Sequence, residues 1–214
     1  MSDIFTEIDE DLKRERALKL WKQYGNYAIV GVLVIIAGTA GYVAWQDYSR
    51  KQAETAAGRY VAALDEAKSG NAAQAGQALA DIARGGSAGY AALARLEEAG
   101  IKANAGDVAG AVALYRQVAS DDSVDRSLRE AATVLAALDG LDTPQPGDVD
   151  KDLAALAAPT SPWRYLVWEI EGAAAVKAGK IDDARHDYSR ISDDPEAPAT
   201  LRARAAEMLA ALAG

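Results

Sequence analysis

Gly106-Asp107-Val108-Ala109-Gly110-Ala111, with Tyr115 and Val118 after it, decides the fold because it recurs. Thirty-six residues earlier stands Gly70-Asn71-Ala72-Ala73-Gln74-Ala75, followed by Leu79 and Ile82. Seventy-three residues later Gly179, Ala184, Tyr188 and Ile191 occupy the same places. An offset of 73 is two units of about 36, so a degenerate unit is expected between, over roughly Ser127 to Thr160, its loop stretched by Pro144 and Pro146. A fixed period in this range predicts a stacked array of helix pairs.

Each position has a physical task. The glycine ends one helix where a positive φ is needed. Asn71 or Asp107 then caps the next helix by accepting its free amide hydrogens. The alanine five residues after the glycine lets that helix approach its partner, and the Leu or Tyr four further on fills the core from the same face. Twelve residues before these alanines stand Ala63, Ala99 and Gly172, the expected crossing points of the paired helices. The surrounding composition agrees. The chain holds 49 alanines, the best helix former, and its six prolines fall in three pairs, 144/146, 159/162 and 195/198, between helical patterns. No sustained period-two run predicts a strand.

Upstream of the repeats, Tyr27 to Trp45 reads YAIVGVLVIIAGTAGYVAW, 19 residues without a charge. As a helix this run matches the hydrocarbon core of a bilayer. Lys13, Arg14, Arg16, Lys19 and Lys22 precede it, against Arg50, Lys51 and Arg59 after it. The positive-inside bias predicts a cytoplasmic N-terminus and an extracytoplasmic remainder. Trp21, Tyr24 and Tyr27 at one end and Tyr42, Trp45 and Tyr48 at the other suit two membrane interfaces. An uncleaved anchor is expected rather than a signal peptide, whose apolar core is shorter and ends in a small-residue cleavage site. Ala37 with Gly41 and Ala40 with Ala44 form small-residue pairs four apart, a candidate contact between transmembrane helices. The expected limits are 1–24 for a cytoplasmic segment, 25–45 for the anchor and 46–214 for the repeat domain.

Charge narrows the function classes. The net charge is −9; five basic and six acidic residues fall in the first 24 positions, which leaves 18 and 26 beyond the span. An acidic outer domain is not built to neutralise phosphates, so nucleic acid is not an expected partner. The chain has no cysteine, which removes disulfides, thiolate catalysis and cysteine zinc sites.

Motifs that hint at chemistry fail on context. Gly85-Gly86-Ser87-Ala88-Gly89 matches a nucleophile elbow and His186 follows later, but the elbow needs a strand where residues 77–84 read as helix. Asp148-Val149-Asp150-Lys151-Asp152 begins like a calcium loop, yet Leu153 and Pro159 stand where Gly and Glu are required. His186 with Asp182 and Asp183 reads as a solvated face. Gly179-Lys180 lacks the first glycine and the Ser/Thr of a phosphate loop. No catalytic residue, metal ligand or cofactor is expected.

Two stretches remain as interaction candidates. Trp163, Leu166, Val167 and Ile170 form a core-facing stripe, with Tyr165 and Trp168 on another face. That second pair could grip an apolar or extended client on the concave surface, or pack against a neighbouring repeat, the commoner fate of aromatics in helix arrays. Ile4, Phe5, Ile8 and Leu12 make an apolar stripe among acids, as a docked amphipathic helix or a disordered tail would.

The glycine, alanine and tyrosine spacing resembles a degenerate tetratricopeptide repeat. A charged segment leading into Trp21-Lys22-Gln23-Tyr24-Gly25-Asn26, one span ending Gly41-Tyr42-Val43-Ala44-Trp45, and three to four such repeats are similar in layout to the bacterial YfgM-type family. That family is an ancillary subunit of the Sec translocon and shares its repeat domain with the cell-division coordinator CpoB. The resemblance implies an inner-membrane protein with a periplasmic all-α solenoid, linked to the SecYEG channel and to periplasmic chaperones, with no catalytic residue. The expectation is a non-enzymatic, membrane-tethered interaction module. The rival is a homo-oligomeric envelope or division scaffold.

Overall fold

The computed structural model describes residues 3–143 and 149–213, so the Pro144/Pro146 loop and Asp148 lie outside the described residues. Among the described residues there are helices and no strand: α1 (Asp3–Lys68), α2 (Ala72–Gly85), α3 (Ala88–Asn104), α4 (Val108–Ala119), α5 (Arg126–Gly140), α6 (Val149–Leu153), α7 (Arg164–Lys177), α8 (Ile181–Ser192) and α9 (Ala199–Leu212). The chain divides into two compact units, Met1–Gln52 and Ala53–Gly214. Helix α1 supplies the first and enters the second.

In the first unit the apolar run is exposed around its whole circumference. Leu33, Val34, Ile35 and Ile36 follow one another around the helix at 59%, 64%, 68% and 58% exposure. A helix that is apolar all round belongs in a core or a membrane. Within Ile29–Lys68 lies a window of mean hydropathy 1.8, none of it buried, so this helix is long and apolar enough to cross a membrane. Its hydroxyl is already satisfied: Thr39 Oγ1 donates to the Ile35 carbonyl at 2.8 Å. The side chains of Ile4, Phe5, Ile8 and Leu12 lie outside the described ones, although their backbone is helical.

In the second unit the repeat grammar becomes geometry. Gly70, Gly106 and Gly179 carry φ of 87°, 87° and 72°, and among the described residues they are the glycines with positive φ. At each one the chain closes the same pair of bonds. The Gly70 and Asn71 amides donate to Ala67 and Glu66, those of Gly106 and Asp107 to Ala103 and Lys102, those of Gly179 and Lys180 to Val176 and Ala175. These are the two reversed bonds of a Schellman ending, which satisfy the last carbonyls of a helix while turning the chain. The residue after each glycine at once becomes the N-cap of the following helix.

The buried positions follow the same register. Ala75, Ala111 and Ala184 are fully buried, and Leu79, Tyr115 and Tyr188 are 0%, 4% and 2% exposed. Ala63 and Ala99 are buried at the predicted crossings. At the third crossing a Cβ added to Gly172 would sit 3.0–3.2 Å from the Tyr188 ring, so the absent side chain is what lets the ring lie flat on α7. Consecutive helices pack antiparallel in sequence order, from α2 on α3 through α8 on α9.

The degenerate unit is α5 with α6. Its second helix has shrunk to five residues, and turns occupy the chain from there to α7. Leu153 and Leu156 drop from this segment into the core shared with α7. Side chains replace the missing helix surface. Trp163 Nε1 donates to Glu130 at 3.1 Å, and Lys177 Nζ donates to the Leu141 carbonyl at 2.9 Å and pairs with Asp142.

Candidate functional site

Tyr165 and Trp168 come together, but inside the solenoid. They are 6% and 8% exposed and meet edge to face with centroids 5.5 Å apart. The Tyr165 hydroxyl donates to Asp194 at 2.8 Å and accepts from Arg164 at 2.6 Å. The Arg190 guanidinium lies 3.8 Å from the centre of the Trp168 ring. Asp194 is held below the usual carboxylate range, first by the Glu196 amide and then by the Tyr165 hydroxyl. Both rings are buried, which is the packing alternative for this pair. A helix between two neighbours buries both its faces, so the second face of α7 packs just as the stripe of Val167 and Ile170 does.

The capping prediction divides. The Asp107 carboxylate accepts from the Gly110 amide at 3.0 Å and from Lys102 at 3.0 Å. Both hold its carboxyl below the usual range, Lys102 more than Gly110. Asn71 occupies the same place and caps nothing. Its side-chain nitrogen donates to Glu66 at 2.7 Å, and its oxygen accepts no cap hydrogen bond.

The residues that hinted at chemistry stay apart. Ser87 is an exposed N-cap at the start of α3, and the segment before it is helix α2, so no strand presents it as a nucleophile. His186 is exposed on α8. Gly179-Lys180 is the turn already described, and Asp152 faces Arg116 at 3.8 Å. Ala37, Ala40, Gly41 and Ala44 lie on one exposed face of α1, and a Cβ at Gly41 would meet nothing within 4 Å.

The sequence reading missed a groove between the two helices of the first pair. Arg59, Ala62, Ala63 and Glu66 of α1 and Gln74, Ala78, Asp81 and Ile82 of α2 line an open space of about 360 Å³. Arg59 makes no hydrogen bond or ion pair among the described residues. The signal was present in the repeat itself, since Arg95 stands 36 residues on at the equivalent position.

With the period, the turn glycines and the crossing residues in place, the class is an α-helical repeat solenoid joined to an exposed apolar helix. The chain belongs to the tetratricopeptide repeat-like domain family, whose match runs over residues 19–209 and so takes in the apolar run as well as the helix pairs. No match was found among curated proteins or among solved structures. A domain of this family fits a protein–protein interaction module, and its all-helical architecture is of a kind typically non-catalytic.

Proposed function

We propose that this is a membrane-anchored interaction protein of the YfgM type, acting beside the Sec translocon and periplasmic chaperones. The observation that carries the reading is the joining of an unburied, all-round apolar helix to a helix-pair solenoid within one family match. Tethering confines the repeat surface to the membrane and raises its effective concentration near a channel. In this reading residues 1–24 are cytoplasmic, 25–45 are the anchor in a bacterial inner membrane and 46–214 are periplasmic, an orientation that the basic residues before the apolar run support. No enzyme activity and no cofactor enter this reading.

The test is a crosslinked, mild-detergent pull-down of the full-length protein beside one whose span is replaced by an unrelated apolar helix. Translocon subunits recovered with the native span and lost with the swap support the reading. A second reading, a homo-oligomeric envelope or division scaffold, draws on the open small-residue face of Ala37, Ala40, Gly41 and Ala44. Recovery of only the protein's own copies or division proteins, with either span, would favour it and sink the translocon assignment.

A further inference from the structure

Each helix pair has a side that faces the preceding unit, and the pairs close it differently. At the α3/α4 pair the preceding second helix is present: Arg95 reaches its C-terminal end and donates to the Ala83 carbonyl at 3.2 Å. At the α7/α8 pair the preceding second helix, α6, has only five residues. There the pair fills its own groove. Trp168 stands at the place of Arg95, offset by 73, and Arg190 stacks on its ring at 3.8 Å.

At the first pair neither solution exists. Arg59 is the equivalent of both Arg95 and Trp168, and Asp81 is the equivalent of Arg190. Asp81 lines the groove but pairs with Arg84 on its own helix and not with Arg59. The acid beside Arg95 is Asp121, at 3.9 Å, and Gly85 takes that position in the first unit. Arg59 is thus a guanidinium without a partner among the described residues, in a groove whose apolar lining is Ala62, Ala63, Ala78 and Ile82 and whose acids are Glu66 and Asp81.

We infer that the α1/α2 groove is a docking site for an α-helix of a partner protein, seated with its C-terminal end on Arg59. The inference rests on the reading of the solenoid as an interaction module and names the partner's chemistry. Arg59 and Glu66 lie seven residues apart on α1, about 10 Å. A helix lying along them with its carbonyl end on the guanidinium and its amide end toward the carboxylate has its dipole matched at both ends. It is the polarity that α2 adopts against Arg95. The small floor residues admit a close-packed helix with alanine or leucine on one face.

The probe is a fluorescently labelled, stapled and amidated helix of about 15 residues with an alanine–leucine face, titrated by anisotropy against the full-length protein in detergent. One version carries glutamates in its last turn, a second carries lysines there. The glutamate version is expected to bind at least about tenfold more tightly. Arg59→Glu should remove that preference, and Ala62→Trp, at an exposed position, should abolish binding with the helical circular dichroism unchanged. Absence of binding, or binding indifferent to both substitutions, overturns the inference. The pull-down above reads interaction through any surface, so a failure here is distinct from a failure of the module itself.

Discussion

The first and the last complete helix pairs are written in one grammar and filled differently. Both turn on a positive-φ glycine, Gly70 and Gly179, and both bury an alanine, Ala75 and Ala184, at the same register. In the last pair the crossing residue is Gly172, the core residue is Tyr188, and Trp168 with Arg190 closes the groove. In the first pair these are Ala63, Leu79 and Arg59 with Asp81, which do not pair with each other. The last pair belongs to a cluster of 15 buried residues that reaches from α5 to α9, whereas the first shares a cluster of four. The backbone plan of a repeat is therefore separable from what fills it. The last pair buries its aromatic rings in the core, whereas the rings packed against the core of the first, Tyr60 and Tyr90, are only half-buried.

The sharpest way to break this comparison is to empty the rich end. Tyr188→Ala removes a ring that is 2% exposed and stacked over Gly172. Truncating a buried aromatic costs about 3–5 kcal/mol. Leu79→Ala at the equivalent place is expected to cost about 2–4 kcal/mol, because a smaller side chain leaves a smaller cavity. Urea unfolding in mild detergent, followed by far-UV circular dichroism, compares the two. Equal losses would show that the first pair is as firmly packed as the last.

Next in size are the turn glycines. Gly70→Ala and Gly179→Ala each place a Cβ at a positive φ, with open space around it, so conformational strain of about 1–2 kcal/mol is the whole effect. Here the two ends should respond alike, since the turns share one geometry. A loss confined to Gly179→Ala would mean that filling and turn are not separable.

What the sequence disclosed follows the same division. The turn glycines, crossing residues and buried alanines were legible because each depends on the chain within a dozen residues of itself. The shortened α6 was legible only as a degenerate unit, since the length of a helix between proline pairs is decided by where Leu153 and Leu156 find a core. Tyr165 and Trp168 were left between client and packing because periodicity marks one buried face, while a helix between two neighbours buries two. The groove was hidden because it exists through the lack of a preceding helix, which becomes visible when Arg59 is set beside Arg95. Asn71 was read as a cap from its position alone, and its side chain instead donates to Glu66.

The smallest effects lie in the caps and their acids, and there the two ends should part again. Asp107→Ala removes a cap bond and the Lys102 partner, for an expected fall of a few degrees in Tm; Asn71→Ala, which caps nothing, should fall less. Asp107 and Asp194 both have a folded pKa below the ordinary carboxylate value. Their contribution is fully present above the unfolded pKa, near 4, and is lost as pH falls through the lowered folded pKa. Asp139 works in the opposite sense. Burial, then Asp142, raises its pKa, so its ionisation weakens the fold as pH rises through the interval between the unfolded and folded values. Thermal melts between pH 7 and pH 3, followed by the fluorescence of Trp163 and Trp168 in a variant with Trp21 and Trp45 replaced by Phe, should show Tm falling below about pH 4. Asp194→Asn should lower Tm at neutral pH and flatten that acid limb, because the carboxylate that joins α7 to the α8–α9 turn through Tyr165 is gone. Asn71→Asp would make the converse test: if an acid at the junction is enough, the acid limb should steepen, and a limb unchanged by that substitution would place the pH dependence in the filling and not in the turns.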